Sequence, residues 1–106
     1  MIKQNRADRV LDALKDMGLS QMLIVDPMSI YYLTGVWVAP FERFYGLCLR
    51  ADGRHAMFLN RLFHVPGDVG VEKVWYSDTD PVTDLIAEHL DRDAVLGVDK
   101  DLRASF

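Results

Sequence analysis

An amphipathic helix followed at once by a strand with no polar face leaves few architectures open to a chain of 106 residues. Over residues 4–17, Ala7, Val10, Leu11, Leu14 and Met17 recur at helical spacing on one face, with Asp8, Arg9, Asp12, Lys15 and Asp16 around the other. Gly18 supplies a left-handed stop. Met22-Leu23-Ile24-Val25 then forms a run that is apolar on both sides. A strand of that kind must be covered twice, so the sequence predicts a sheet with helices packed on it.

The remaining segments extend this pattern. Asp26-Pro27 reads as a helix start, a carboxylate cap followed by a proline at the first helical position, and Thr34-Gly35 closes the short helix. Tyr31 and Tyr32 are neighbours on it, so their side chains diverge and one can be buried while the other faces the following loop. Val36 to Phe44 has neither helical nor strand periodicity and reads as a loop. Tyr45, Leu47 and Leu49 alternate, and His55 to Leu59 is extended; the Asp52-Gly53 turn between them predicts an antiparallel hairpin. In the ambiguous stretch from Asn60 to Gly70, Leu62, Phe63 and Val65 suit one helical turn. Lys73 to Tyr76 is a strand, and Ser77-Asp78-Thr79-Asp80-Pro81 is a second cap-plus-proline start for a helix lined by Val82, Leu85, Ile86 and Leu90. Ala94 to Val98 is a final strand, with Asp99 placed to cap a further helix. The expected fold is α/β, a mixed sheet of about five strands with helices on both faces, in the order α-β-α-β-β-β-α-β. One domain spans 1–106, and the ending Arg103-Ala104-Ser105-Phe106, inside a capped element, suits the front piece of a longer protein.

Composition removes several function classes. Twelve Lys+Arg against sixteen Asp+Glu give a net charge of −4, and no basic stripe occurs, which argues against nucleic acid or an anionic membrane as partner. No apolar run approaches the roughly 20 residues of a membrane span. The single Cys48 rules out an internal disulfide, suits a reducing cytoplasm, and alternates with Leu47 and Leu49 as a core residue rather than a nucleophile. Glu88-His89 lacks the second histidine of a zinc-protease helix, and His55, His64 and His89 are scattered. No dinucleotide, Walker or nucleophile-elbow motif is present.

Two groups of residues remain as candidate sites. Asp26, Asp78 or Asp80, and Asp99 all follow strands, and three carboxylates converging at a sheet edge would suit Mg²⁺. Helix capping is the stronger reading of each. The loop Val36–Phe44 carries Trp37, Phe41 and Phe44 beside Glu42-Arg43, and aromatics with arginine are the composition of interface hot spots. The competing reading folds these rings back onto their own core and leaves Glu42-Arg43 as a structural ion pair.

The stretches Arg9 to Leu14 with Gly18-Leu19, Leu23-Ile24-Val25 and above all Asp26-Pro27-Met28-Ser29-Ile30-Tyr31-Tyr32-Leu33-Thr34-Gly35 resemble the N-terminal domain of the creatinase/prolidase family. The likeness continues through Glu42-Arg43, Asp52-Gly53, Tyr76 to Pro81 and Gly97 to Lys100, in order along the chain. The resemblance implies a ribonuclease-H-like sheet in a noncatalytic domain of a Xaa-Pro dipeptidase-like metallohydrolase. It implies a homodimer in which the loop after Tyr-Tyr-Leu-Thr-Gly reaches the neighbouring subunit's active site, and a proline-containing dipeptide or related small substrate. Two divalent metal ions of the Mn or Co type are implied for a downstream pita-bread domain whose ligand motifs these residues lack, so no catalytic or metal residue is carried over. Trp37, Phe41, Glu42 and Arg43 are the substrate-loop candidates, Trp37 or Phe41 as an apolar wall and Arg43 as partner to a substrate carboxylate. The alternative is an independent small α/β module that binds a ligand or a protein through the same loop.

Overall fold

The computed structural model describes residues 1–40 and 42–99. Its elements are α1 (Gln4–Asp16), β1 (Gln21–Ile24), α2 (Pro27–Thr34), β2 (Gly46–Arg50), β3 (Ala56–Asn60), β4 (Glu72–Tyr76), α3 (Val82–His89) and β5 (Gly97–Val98), the order expected from the sequence. They form a five-stranded mixed sheet in the order β4-β3-β2-β1-β5. β2 is antiparallel to β1 and β3, whereas β4 runs parallel to β3 and β5 parallel to β1. Four strands therefore end at one edge of the sheet, and β2 begins there.

The two-sided burial has the cause read from the strands. On one face Ile24, Leu47, Leu49, Met57 and Leu59 pack against Ala7 of α1 and Ile30 and Leu33 of α2. On the other, Leu23, Cys48, Ala56, Phe58 and Val74 pack against Ile86 of α3. Alternate residues of β2 and β3 thus feed two cores, and all five residues of β3 are buried.

Local chemistry sets the helix ends. Asp26 caps α2, its Oδ2 accepting from Ser29 N at 3.2 Å and from Ser29 Oγ at 2.7 Å, with Pro27 at the first position. Gly35 closes α2 at φ 76°, its N–H donating to Tyr31 O at 2.8 Å.

Several expectations are corrected. Met17 ends α1 70% exposed, because the chain turns away before its side chain meets the core. Tyr31 and Tyr32 are both half-exposed; Tyr31 meets Trp37, and Tyr32 lies under the Arg6 guanidinium at 4.4 Å. Residues 61–70 form turns and bends without a helical turn, with Leu62 exposed and Val65 buried. Asp80 does not cap α3, whose N-cap is Pro81 without a side-chain bond; Asp80 Oδ2 instead accepts from Ser77 N at 2.7 Å. β5 is two residues long, with Ala94 O instead accepting from buried Gln21 Nε2 at 3.1 Å, and Val95 is exposed. The helix expected after Asp99 falls on 100–106, outside the described residues.

Candidate functional site

The strand directions gather the C-terminal ends of β1, β3, β4 and β5 at one sheet edge, the place where open α/β sheets bind ligands. The connection from α2 to β2 starts at Gly35 and ends at Tyr45, where β2 sets out from this edge. Both of its ends are fixed. Buried Thr34 donates its hydroxyl to Ile30 O at 2.7 Å and accepts from Val36 N at 3.1 Å. Buried Tyr45 donates its hydroxyl to Val36 O at 3.4 Å, tying the loop's end back to its start, and burial pushes the phenol's pKa well up. Val38 is in the core, and the Tyr76 hydroxyl donates to Phe44 O. The described ends of the loop are therefore tied to the core.

The aromatic candidates divide. Phe44 folds back, its ring 6.0 Å from that of buried Phe58. Trp37 stays 55% exposed, with Tyr31 edge-on at 6.1 Å and 89° as its ring partner. Phe41 lies outside the described residues. Glu42 is exposed.

Arg43 is paired with Asp78, 35 residues away, and not with adjacent Glu42. Its Nε donates to Asp78 Oδ1 and its Nη2 to Asp78 Oδ2, each at 3.1 Å, a bidentate fork. Asn60 Nδ2 donates to Asp78 Oδ1 at 2.8 Å, and Asn60 Oδ1 accepts from Leu62 N at 3.0 Å. The hydrogen bonds from Arg43 and then from Asn60 hold the Asp78 carboxyl below its ordinary pKa, and the hydrogen bond to Asp78 raises that of Arg43. From the sequence, Asp78 reads as a cap or metal ligand, and Asn60 is not among the site candidates. The available signal was a polar residue closing the apolar run Ala56 to Leu59.

The four aspartates do not form a metal centre. Asp26 caps α2, and Asp99 Oδ2 accepts from Val25 N and Asp26 N at 3.0 Å each, bracing the β1–α2 turn against β5. Asp78 lies with Arg43 across the β3–β4 end, and Asp80 turns back to Ser77. Among the described residues no three His, Cys, Asp or Glu side chains gather in metal-binding geometry. The histidines are equally dispersed: His55 is buried with Nδ1 accepting from Arg50 N at 3.1 Å, His64 is exposed, and His89 Nε2 lies 3.4 Å from Glu72. Cys48 is fully buried, and burial pushes its thiol up to about 11, so little thiolate exists at neutral pH.

The sequence profile of the creatinase/prolidase N-terminal domain matches residues 6–106. The chain belongs to that family. As a creatinase/prolidase N-terminal domain it has the fold of a proline dipeptidase from Streptococcus pneumoniae, with TM-score 0.82 at 26% identity over 99% of this chain and 79% of that one. The Mycobacterium ulcerans dipeptidase PepE matches with TM-score 0.81 at 26% identity, covering 97% of this chain but 30% of that one. An uncharacterized peptidase of Staphylococcus aureus (strain USA300) is 27% identical over 57 residues, 54% of this chain and 16% of the relative. The chain thus matches a small part of the length of that peptidase and under a third of PepE. Among the described residues no helix is long and apolar enough to cross a membrane.

Proposed function

We propose that this chain is the noncatalytic N-terminal domain of a cytoplasmic Xaa-Pro dipeptidase-like metallohydrolase. It helps to build a homodimer and lends its Val36–Phe44 loop to the neighbouring subunit's substrate pocket. The observation that carries the reading is the contrast within the loop. Its ends are tied to the core by Thr34, Tyr45 and Tyr76, while Trp37 stays 55% exposed and Arg43 keeps guanidinium donors without a partner among the described residues. A half-solvated indole beside half-exposed Tyr31 is apolar surface open to a ligand, and it suits one wall of a small apolar pocket.

In this reading the Trp37 ring lies against the substrate's proline ring, with Phe41 as a second apolar candidate. Arg43 meets the substrate carboxylate as a charge-assisted pair, and exposed Glu42 is the loop's counter-charge for an α-amino group. The two divalent ions of the Mn or Co type belong to a separate catalytic portion of a longer polypeptide, where they supply an activated water and polarise the scissile carbonyl. The aspartates described above are each committed elsewhere, so no step is routed through them. The relatives named as dipeptidases support the substrate class, and PepE's greater length supports a catalytic portion outside the matched region. The test is Arg43→Ala in the longer polypeptide. KM for a Xaa-Pro dipeptide should rise while the melting temperature holds. An unchanged KM, or a domain that unfolds, would count against the proposal.

A further inference from the structure

We infer that Asp78, braced by Asn60, is a positioning residue that holds the Arg43 guanidinium in the orientation a substrate carboxylate requires. This rests on the pocket role proposed for the loop and adds the device that makes Arg43 usable.

Exposed ion pairs contribute little to stability, because water screens them and two long side chains must be ordered to make one contact. The Arg43 and Asp78 side chains are 40% and 56% exposed, so a stabilising role is a weak reason for this pair. The geometry beneath it is unusually well determined for a surface contact. Asn60 is 1% exposed, sits opposite Tyr76 in the β3–β4 ladder, and spends both ends of its amide, on Asp78 and on Leu62 N. Asp78 therefore does not swing freely; it is tied to the sheet by a buried donor. The backbone beside Arg43 is fixed too, with Arg43 N donating to Pro40 O at 3.0 Å and the Tyr76 hydroxyl donating to Phe44 O. Base and head of a long, flexible side chain are both anchored.

The anchor uses one side of the guanidinium. Nε and one Nη2 hydrogen go to Asp78, which leaves Nη1 and the second Nη2 hydrogen without partners among the described residues. Those two form the outer fork of the same planar group, the geometry that takes a second carboxylate in bidentate fashion. Asp78 thus orders Arg43 without consuming the edge that a ligand needs. The conformational cost of fixing the arginine is then met in the free protein rather than on binding.

The contrary arrangement has the opposite sign. Were Asp78 a stand-in that the substrate must displace, removing its charge would improve binding. The experiment compares Arg43→Ala, Asp78→Asn, Asp78→Glu and the Arg43→Ala/Asp78→Asn double variant in the longer polypeptide, with kcat and KM measured on a Xaa-Pro dipeptide. Asp78→Asn should raise KM on the order of tenfold with kcat little changed, the scale of one charged hydrogen bond. The double variant should be no worse than Arg43→Ala alone, because the two residues act as one unit. Asp78→Glu, which restores an acceptor carboxylate, should recover most of the loss. An Asp78→Asn variant whose KM is unchanged or lowered while Arg43→Ala raises it overturns the positioning role and leaves the pocket reading standing. If Arg43→Ala itself leaves KM unmoved, the pocket reading falls first. Failure of Asp78→Glu to rescue would mean that packing was lost rather than the pair, and would overturn the inference as well.

Discussion

Phe58 and Trp37 carry large rings with opposite expected fates on truncation, and the contrast tests how core and loop are divided. Phe58 is fully buried in the core beneath α3, with Phe44 at 6.0 Å and His89 edge-on at 5.7 Å. Phe58→Ala removes that ring from a site closed on all sides, which costs about 3–5 kcal/mol. The Trp37 ring is 55% exposed. Of the roughly 200 Å² an aromatic side chain can bury, under half is removed from water here. At about 25 cal/mol per Å², and with compact unfolded chains already hiding some of that area, Trp37→Ala should cost below about 2 kcal/mol. Urea denaturation followed by far-ultraviolet circular dichroism measures both, with the m-value checked for constancy. Since Phe58 also supports Phe44, its truncation should speed amide exchange at Phe44 and Tyr45, whereas Trp37→Ala should leave β2 and β3 protected. A Trp37→Ala loss equal to that of Phe58→Ala would make the indole part of the fold and refute its assignment as available surface.

Two further outcomes follow from single residues. Asp26→Ala deletes the cap of α2 and should cost about 1 kcal/mol in the same denaturation assay, whereas an unchanged midpoint would mean that Asp99 alone holds the turn. Burial lowers the pKa of His55, so the folded state favours its neutral ring and the unfolded chain binds more protons as the pH falls. The His55 contribution is fully present above about pH 6.5 and is lost as pH falls through the lower folded value, so stability should decline with acidification in that window. His55→Gln should flatten that slope; an identical slope would show that other groups set it.

Much of this architecture was legible because it depends on local chemistry. Asp26-Pro27 and Gly35 bound α2, and Asp52-Gly53 sits in the turn between β2 and β3, each through a residue whose backbone preference admits few alternatives. Where the pattern misled, a competing hydrogen bond had replaced the expected one. Asp80-Pro81 has the composition of a helix start, yet Asp80 is spent on Ser77 N and α3 begins without a side-chain cap. Ala94 to Val98 reads as a strand, but Ala94 O is taken by the Gln21 side chain and only Gly97 and Val98 pair with β1. At the candidate site, the composition of 36–44 singled out Trp37 and Arg43. The Arg43–Asp78–Asn60 chain was beyond reach, because it depends on which strand ends become neighbours, and parallel pairing of β3 with β4 is a long-range outcome.

The most direct test of a loop that serves the neighbouring subunit is complementation between two defective copies of the longer polypeptide. One carries Arg43→Ala with its catalytic portion intact; the other has an intact loop and an inactivated catalytic portion. If each loop completes the other subunit's pocket, a mixed dimer contains one fully equipped centre. Reassorting equal amounts should then return about a quarter of wild-type kcat/KM, because half the dimers are mixed and each holds one such site. Activity that stays at the level of the two parents mixed without exchange would contradict the account, since it would mean that the loop works only within its own subunit or not at all.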